Sequence, residues 1–286
     1  MLDAQESALV VDPGDPATRQ NARSFGAAAS VYHHSRPGYP VEAIAWLIGD
    51  AVRVLDLGAG TGKLSEALMA LDREVIAVDP VEEMLEELEV AVPGVPRILG
   101  TAEDIPIEND SVDAVVAGQA WHWFQPDRAV PEIARVLRPG GVLGLVWNSR
   151  DIRVDWLVQA GEIMQERHDA SATFESYVQI GPPFGAIEEH TVEWTERMSR
   201  ARFLDLVRSR SYFITASAAD QAATIAALET LLTTHPDVAG ADELDVPYVT
   251  HCFRARLGGD AGGGERGSGE RSDDSDGGDE GVGGDA

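Results

Sequence analysis

Residues 52–64 read Val-Arg-Val-Leu-Asp-Leu-Gly-Ala-Gly-Thr-Gly-Lys-Leu, and they decide what the first half of the chain can become. Val52, Val54, Leu55 and Leu57 form a β-favouring apolar run, while Leu64, Ala67, Leu68 and Leu71 recur at the spacing of one helix face. Between them Gly58, Gly60 and Gly62 occupy alternate positions. Glycine loses the most backbone freedom on ordering, so this density implies a loop that needs positive φ or close approach of a ligand. The helix behind it turns free N–H groups toward whatever sits there.

Spacing separates the ligands that use such a loop. A phosphate-binding P-loop needs a glycine at position 57 and a hydroxyl at position 64, and this chain has Leu57 and Leu64. A dinucleotide fingerprint puts its third glycine where Lys63 stands, which weakens a nicotinamide-dependent oxidoreductase as an alternative. The segment Asp56-Leu-Gly-Ala-Gly-Thr-Gly62 resembles motif I of the class I methyltransferases that use S-adenosylmethionine. That resemblance implies that Asp56 supports the loop and that Gly58, Gly60 and Gly62 approach the methionyl part of the cofactor, with Ala59 among them.

Composition sets the outer limits. A chain of 286 residues suffices for one large α/β domain with a sizeable core. Its formal charge of -27, with 49 acidic against 22 basic residues, disfavours nucleic acid or an anionic membrane as partner, because no basic cluster could replace phosphate counterions. Cys252 is the single cysteine, so no internal disulfide forms. Residues 1–20 lack the regions of a signal peptide, and no apolar run reaches membrane-spanning length. These features predict a cytoplasmic protein with a mobile leader over 1–20 and a disordered acidic, glycine-rich tail over 258–286.

Ahead of the glycine loop, Tyr32, Arg36 and Tyr39 precede a proline turn and a helix faced by Ile44, Leu47 and Ile48. They fit either packing or a cover over a ligand, in which Arg36 could clamp a carboxylate. After the loop, residues 75–78 form a second strand ending at Asp79. This acid suits the hydroxyls of a ribose and also the N-cap of a helix over 81–90 with Pro80 at its first position. Strands are expected at 95–99, 111–117 and 142–147, with a helix over 126–137.

Gly118-Gln-Ala-Trp-His-Trp-Phe124 follows the fourth strand, at the edge where open α/β sheets bind ligands. Trp121, Trp123 and Phe124 could wall a pocket around His122 or could pack beneath a helix. The Leu-Arg-Pro-Gly-Gly turn at 137–141 resembles the type 11, ubiquinone-biosynthesis-like methyltransferases, and Trp147-Asn-Ser-Arg-Asp151 extends the likeness toward relatives of trans-aconitate methyltransferase. By that resemblance Ala102 and Glu103 lie along the adenine, with Asp104 as the alternative carboxylate, and Gln119 lies near the sulfonium.

The second half predicts helices over 154–164 and 203–207, a helix opened by Ser217 and Asp220, and strands over 189–194 and 247–257. The pattern gives an α/β fold class, with a core over 21–150 and a helical lid with closing strands over 151–257; the family resemblance implies a doubly wound, mostly parallel seven-stranded sheet, Rossmann-like, with its last strand antiparallel. The expected function is S-adenosylmethionine-dependent methyl transfer to a small-molecule acceptor, O-methylation of a carboxylate or hydroxyl being favoured; a non-catalytic cofactor-binding module is a further alternative. For a hydroxyl acceptor His122 would be general base; for a carboxylate, Arg36 or Arg150 would orient the anion, with Tyr32, Trp121 and Trp123 around it. No metal is called for, and the sequence assigns no oligomeric state.

Overall fold

The computed structural model describes residues 33–164, 178 and 180–258. Tyr32, the leader over 1–20 and the tail beyond 258 lie outside the described residues. In chain order the elements are α1 (Val41–Ile48), β1 (Arg53–Leu57), α2 (Lys63–Met69), β2 (Glu74–Asp79), α3 (Glu82–Ala91), β3 (Arg97–Leu99), β4 (Val112–Gly118) and a 3-10 turn (Trp121–Trp123). Then follow α4 (Pro126–Val136), β5 (Leu137–Arg150), α5 (Asp155–Ile163), β6 (Glu188–Ser199), α6 (Arg200–Arg208), α7 (Ser211–Thr215), α8 (Ala218–Thr234) and β7 (Glu243–Arg256).

The strands form one seven-stranded sheet in the order β3-β2-β1-β4-β5-β7-β6. The first five strands pair in parallel, and β7 runs antiparallel between β5 and β6. The mostly parallel sheet with its antiparallel last strand is therefore present, with β7 inserted inside the sheet and β6 left at its edge. Strand β5 continues past Trp147 because β7 pairs with Asn148, Ser149 and Arg150 as well. That pairing holds three polar residues in an extended row at the sheet's carboxyl edge.

Side chains alternate across the sheet and so feed two cores. Leu55, Leu57, Val115, Leu143, Leu145 and Trp147 pack with Ala129, Val130 and Ile133 of α4 on one face. Val54, Val116, Val142 and Val146 pack with Ile44 and Leu47 of α1, Leu64 and Leu68 of α2 and Leu88 of α3 on the other. A third cluster joins α5, α6 and α8 to the far ends of β6 and β7 through Trp156, Phe203, Leu228, Met198, Val246 and Tyr248. Ser217 caps α8 by accepting the Asp220 N–H at 3.2 Å.

Helix α3 starts later than the sequence pattern suggests. It opens at Glu82 with Val81 in the cap position, so Pro80 stands before the helix. The Asp79 carboxylate instead accepts the Val81 N–H through Oδ1, at 2.9 Å.

Candidate active site

The three loop glycines all have positive φ, 71° at Gly58, 53° at Gly60 and 91° at Gly62, but their surroundings differ. A Cβ on Gly58 would stand 2.7 Å from the Ala120 Cβ, and one on Gly62 would stand 2.9 Å from Leu88 Cγ. Both are packed against neighbouring segments. A Cβ on Gly60 would meet nothing within 4 Å. The loop therefore presents bare backbone to open space at Gly60 alone of the three, as close approach of a ligand requires.

Two buried carboxylates stand behind this loop. Asp79 Oδ2 accepts the Gly60 N–H at 2.9 Å, and burial pushes the Asp79 carboxyl up to about 6. Asp56 faces α2, where the Ser65 hydroxyl donates to its Oδ2 at 2.6 Å. Burial, reinforced by the charge of Asp79, raises Asp56 to about 7 against the opposing Ser65 hydrogen bonds. Asp56 Oδ1 is buried without a hydrogen-bond partner among the described residues. His33, ahead of α1, brings Nδ1 within 3.2 Å of Thr61 Oγ1 and so lies against the same loop.

The segment after β4 is held from several sides. Gln119 has φ 57°, its N–H donates to Val146 O at 2.9 Å and its Nε2 donates to Asn148 O at 3.1 Å. A Cβ on Gly118 would lie 2.7 Å from the Tyr39 hydroxyl, so Tyr39 covers the end of β4. Trp121 is buried in the α4-side core, edge-on to Phe124 at 5.7 Å. The His122 ring lies 4.9 Å from Trp123, and both its ring nitrogens are closed off from solvent. Ala102 is buried in the same core as Trp121, and Glu103 Oε1 accepts the Gln125 N–H at 2.8 Å, tying the 102–103 element to the end of this segment.

A second group of side chains assembles where β5, β7 and β6 run together. Arg150 is directly opposite Tyr248, and Tyr248 is opposite Trp194, so the three share one sheet face. Tyr248 stacks on Trp194 at 5.3 Å. Trp194 Nε1 donates to Thr250 Oγ1 at 2.8 Å, Thr250 donates to Asn148 Oδ1 at 2.6 Å, and Asn148 Nδ2 donates to Gly38 O at 2.8 Å. This chain of bonds draws the segment carrying Arg36 onto the same face. Arg202 of α6 fastens it further, donating to His34 O at 2.9 Å.

Burial raises the Tyr248 phenol above its usual value, against the opposing charges of Arg150, Arg210 and Arg36. Arg150 thus faces Tyr248 across the β5–β7 ladder and the Arg36 segment is bonded to the same face through Asn148, while Trp121 sits in the opposite core. The sequence motifs assigned no site role to Tyr248, Trp194, Arg210 or Asn148. The aromatic residues in the two late strand-like stretches were the only visible signal.

Among the described residues no helix is long and apolar enough to cross a membrane. Residues 55–145 match the family described as "Methyltransferase domain", of type 11. An uncharacterized methyltransferase of Mycobacterium tuberculosis is 49% identical over 84% of this chain and 98% of its own length. A malonyl-[acyl-carrier protein] O-methyltransferase of Methylococcus capsulatus is 37% identical over 45% of this chain and 51% of its own. A solved structure from Anaeromyxobacter dehalogenans, provisionally described as a type II methyltransferase, aligns with TM-score 0.59 at 28% identity, covering 78% of this chain and 98% of that one. With the glycine loop leaving β1 and the acid ending β2 in one sheet of this order, the chain belongs to the class I S-adenosylmethionine-dependent methyltransferases.

Proposed function

We propose that this methyltransferase esterifies a carboxylate on a small-molecule acceptor. The observation that carries this reading is Arg150 standing directly opposite the buried Tyr248 on β5 and β7, with the Arg36 segment bonded to the same sheet face through Asn148. Guanidinium groups match the planar carboxylate in shape and charge. The match to a malonyl-[acyl-carrier protein] O-methyltransferase, although it spans half of each chain, is in keeping with an acid as acceptor. Nothing in this reading asks for nucleic acid, and a cytoplasmic location accords with it.

When bound, S-adenosylmethionine supplies an electrophilic methyl group on a sulfonium. On this reading Gly60 gives the cofactor a clear backbone surface, while Asp79 accepts the ribose hydroxyls. Each Asp79 oxygen already takes one backbone N–H and keeps further acceptor capacity. Asp56, with Gly58, Ala59 and Gly62, holds the loop in shape, Ala102 and Glu103 border the adenine, and Gln119 stands between the cofactor and β5. Arg36 and Arg150 orient the acceptor, with Trp123 nearby. A carboxylate is ionised at neutral pH, so no proton has to be removed before its oxygen attacks. His122 is then not required to take a proton, in keeping with ring nitrogens closed to solvent.

The test uses isotopically labelled methyl donor with a panel of carboxylic acids and the matching primary amides and alcohols. Methyl esters release methanol in mild base, whereas methyl ethers do not. Base-labile label from the acids alone is the expected result. Base-stable label from the alcohols would replace this reading with hydroxyl methylation and return His122 to the role of general base.

A further inference from the structure

Resting on the carboxylate reading above, we infer that Tyr248, with Arg210 beside it, binds the acceptor: the phenol donates a hydrogen bond to the acceptor's carboxylate under the helical lid. Tyr248 is 3% exposed, and its hydroxyl has no hydrogen-bond partner among the described residues. A buried O–H that donates to nothing is a cost that phenylalanine would avoid in the same space. The ring has the surroundings of a core residue, stacked on Trp194 and packed into the cluster of Trp156, Met164, Phe203 and Phe213. Packing therefore accounts for the ring and leaves the hydroxyl unexplained.

What surrounds that hydroxyl points to an anion. Arg150 is its direct neighbour on β5, and Arg150 Nη1 reaches across to Met164 Sδ at 3.8 Å, spanning the floor and the lid. Arg210 caps the start of α7 in the lid, and the Arg36 segment is drawn in by the Asn148–Gly38 bond. Arg150 thus stands against the phenol, and the elements that carry Arg210 and Arg36 border the same face. The acid on this side, Glu196, is engaged by Arg202 at 2.5 Å. A phenol among guanidinium groups is a donor aimed at a negatively charged oxygen, and the aromatic walls restrict the ligand to a small organic acid.

The negative charge of the acceptor is spent as the ester forms, so donors to it favour the bound acid over the transition state. Loss of the Tyr248 hydroxyl should therefore raise KM far more than it lowers kcat. The experiment is calorimetric titration of acetate, malonate and succinate into the full chain saturated with S-adenosylhomocysteine, comparing wild type, Tyr248→Phe and Arg210→Gln, with succinamide as the uncharged control. The expected result is binding of at least one acid but not succinamide, weakened about 10- to 100-fold in Tyr248→Phe. Unchanged affinity for S-adenosylhomocysteine shows that the variant is folded. Equal affinity in wild type and Tyr248→Phe overturns the role of Tyr248 and leaves the carboxylate reading standing. If wild type binds none of the acids, both fall together.

Discussion

Asp79 accepts the N–H of Gly60 at 2.9 Å, and so the acid that ends β2 shapes the loop that leaves β1. On the proposed reading one carboxylate both holds the loop and takes the ribose. Asp79→Asn replaces one acceptor oxygen by a donor, which loses either the Gly60 or the Val81 bond and the matching ribose contact. The expected outcome is cofactor affinity about 10- to 100-fold weaker, with a small change in melting temperature, read by calorimetry and thermal unfolding.

The same residue predicts a pH dependence of cofactor binding. Burial raises Asp79 to about 6, so acidification through that value protonates it and removes acceptor capacity. Wild-type affinity for S-adenosylmethionine should fall below about pH 6, approaching tenfold per pH unit. In Asp79→Asn this part of the pH profile should be flat, and a profile unchanged by the substitution would assign the effect to another group.

Asp56 predicts a dependence of stability with the opposite sign to ordinary acid denaturation. Its folded carboxyl is raised from 3.8 to about 7, so the folded chain holds the proton more tightly than the unfolded one. That contribution to stability is complete below the unfolded value and is lost as pH rises through the interval from 3.8 to about 7. Asp56→Asn removes it. The gap between wild-type and variant melting temperatures should therefore shift steadily in the variant's favour as pH rises across that window.

The glycines divide by what each would strike. Gly58→Ala and Gly62→Ala drive a Cβ into Ala120 and Leu88 at positive φ, and should each lower stability by about 1–3 kcal/mol or more. Gly60→Ala strikes nothing in the chain, so it bears the strain of φ 53° alone. It should lose only the ~1–2 kcal/mol of that strain yet bind the cofactor markedly less well. Denaturant unfolding beside calorimetry separates the two classes.

The parallel half of the sheet was legible because central strands buried on both faces read as apolar runs such as residues 112–117, and because the loop glycines need their positions for local reasons. What the motifs did not show depends on register. Tyr248 meets Arg150 only because β7 inserts between β5 and β6, and Thr250 finds Asn148 from 102 positions away. No local pattern encodes such a partner. The start of α3 was misplaced for a similar reason: Asp79 looked like a helix cap, but its second oxygen answers to Gly60 on another loop. Gln119, with positive φ and no glycine to signal it, was read by resemblance to a family and never from its own backbone.

His122 supplies the sharpest contrast between the two acceptor chemistries. Loss of a general base typically costs about 100- to 10,000-fold in rate, whereas loss of a packing ring beside Trp123 costs some stability and little chemistry. With both ring nitrogens closed to solvent, and with an acceptor that arrives ionised, His122→Ala should retain kcat on a carboxylic acid within about tenfold of wild type while lowering the melting temperature. The pH profile of kcat should likewise be unchanged between wild type and variant near neutrality. A loss of several orders of magnitude, with the protein still folded and still binding S-adenosylhomocysteine, would mean that the imidazole takes a proton, and the acceptor would then be a hydroxyl.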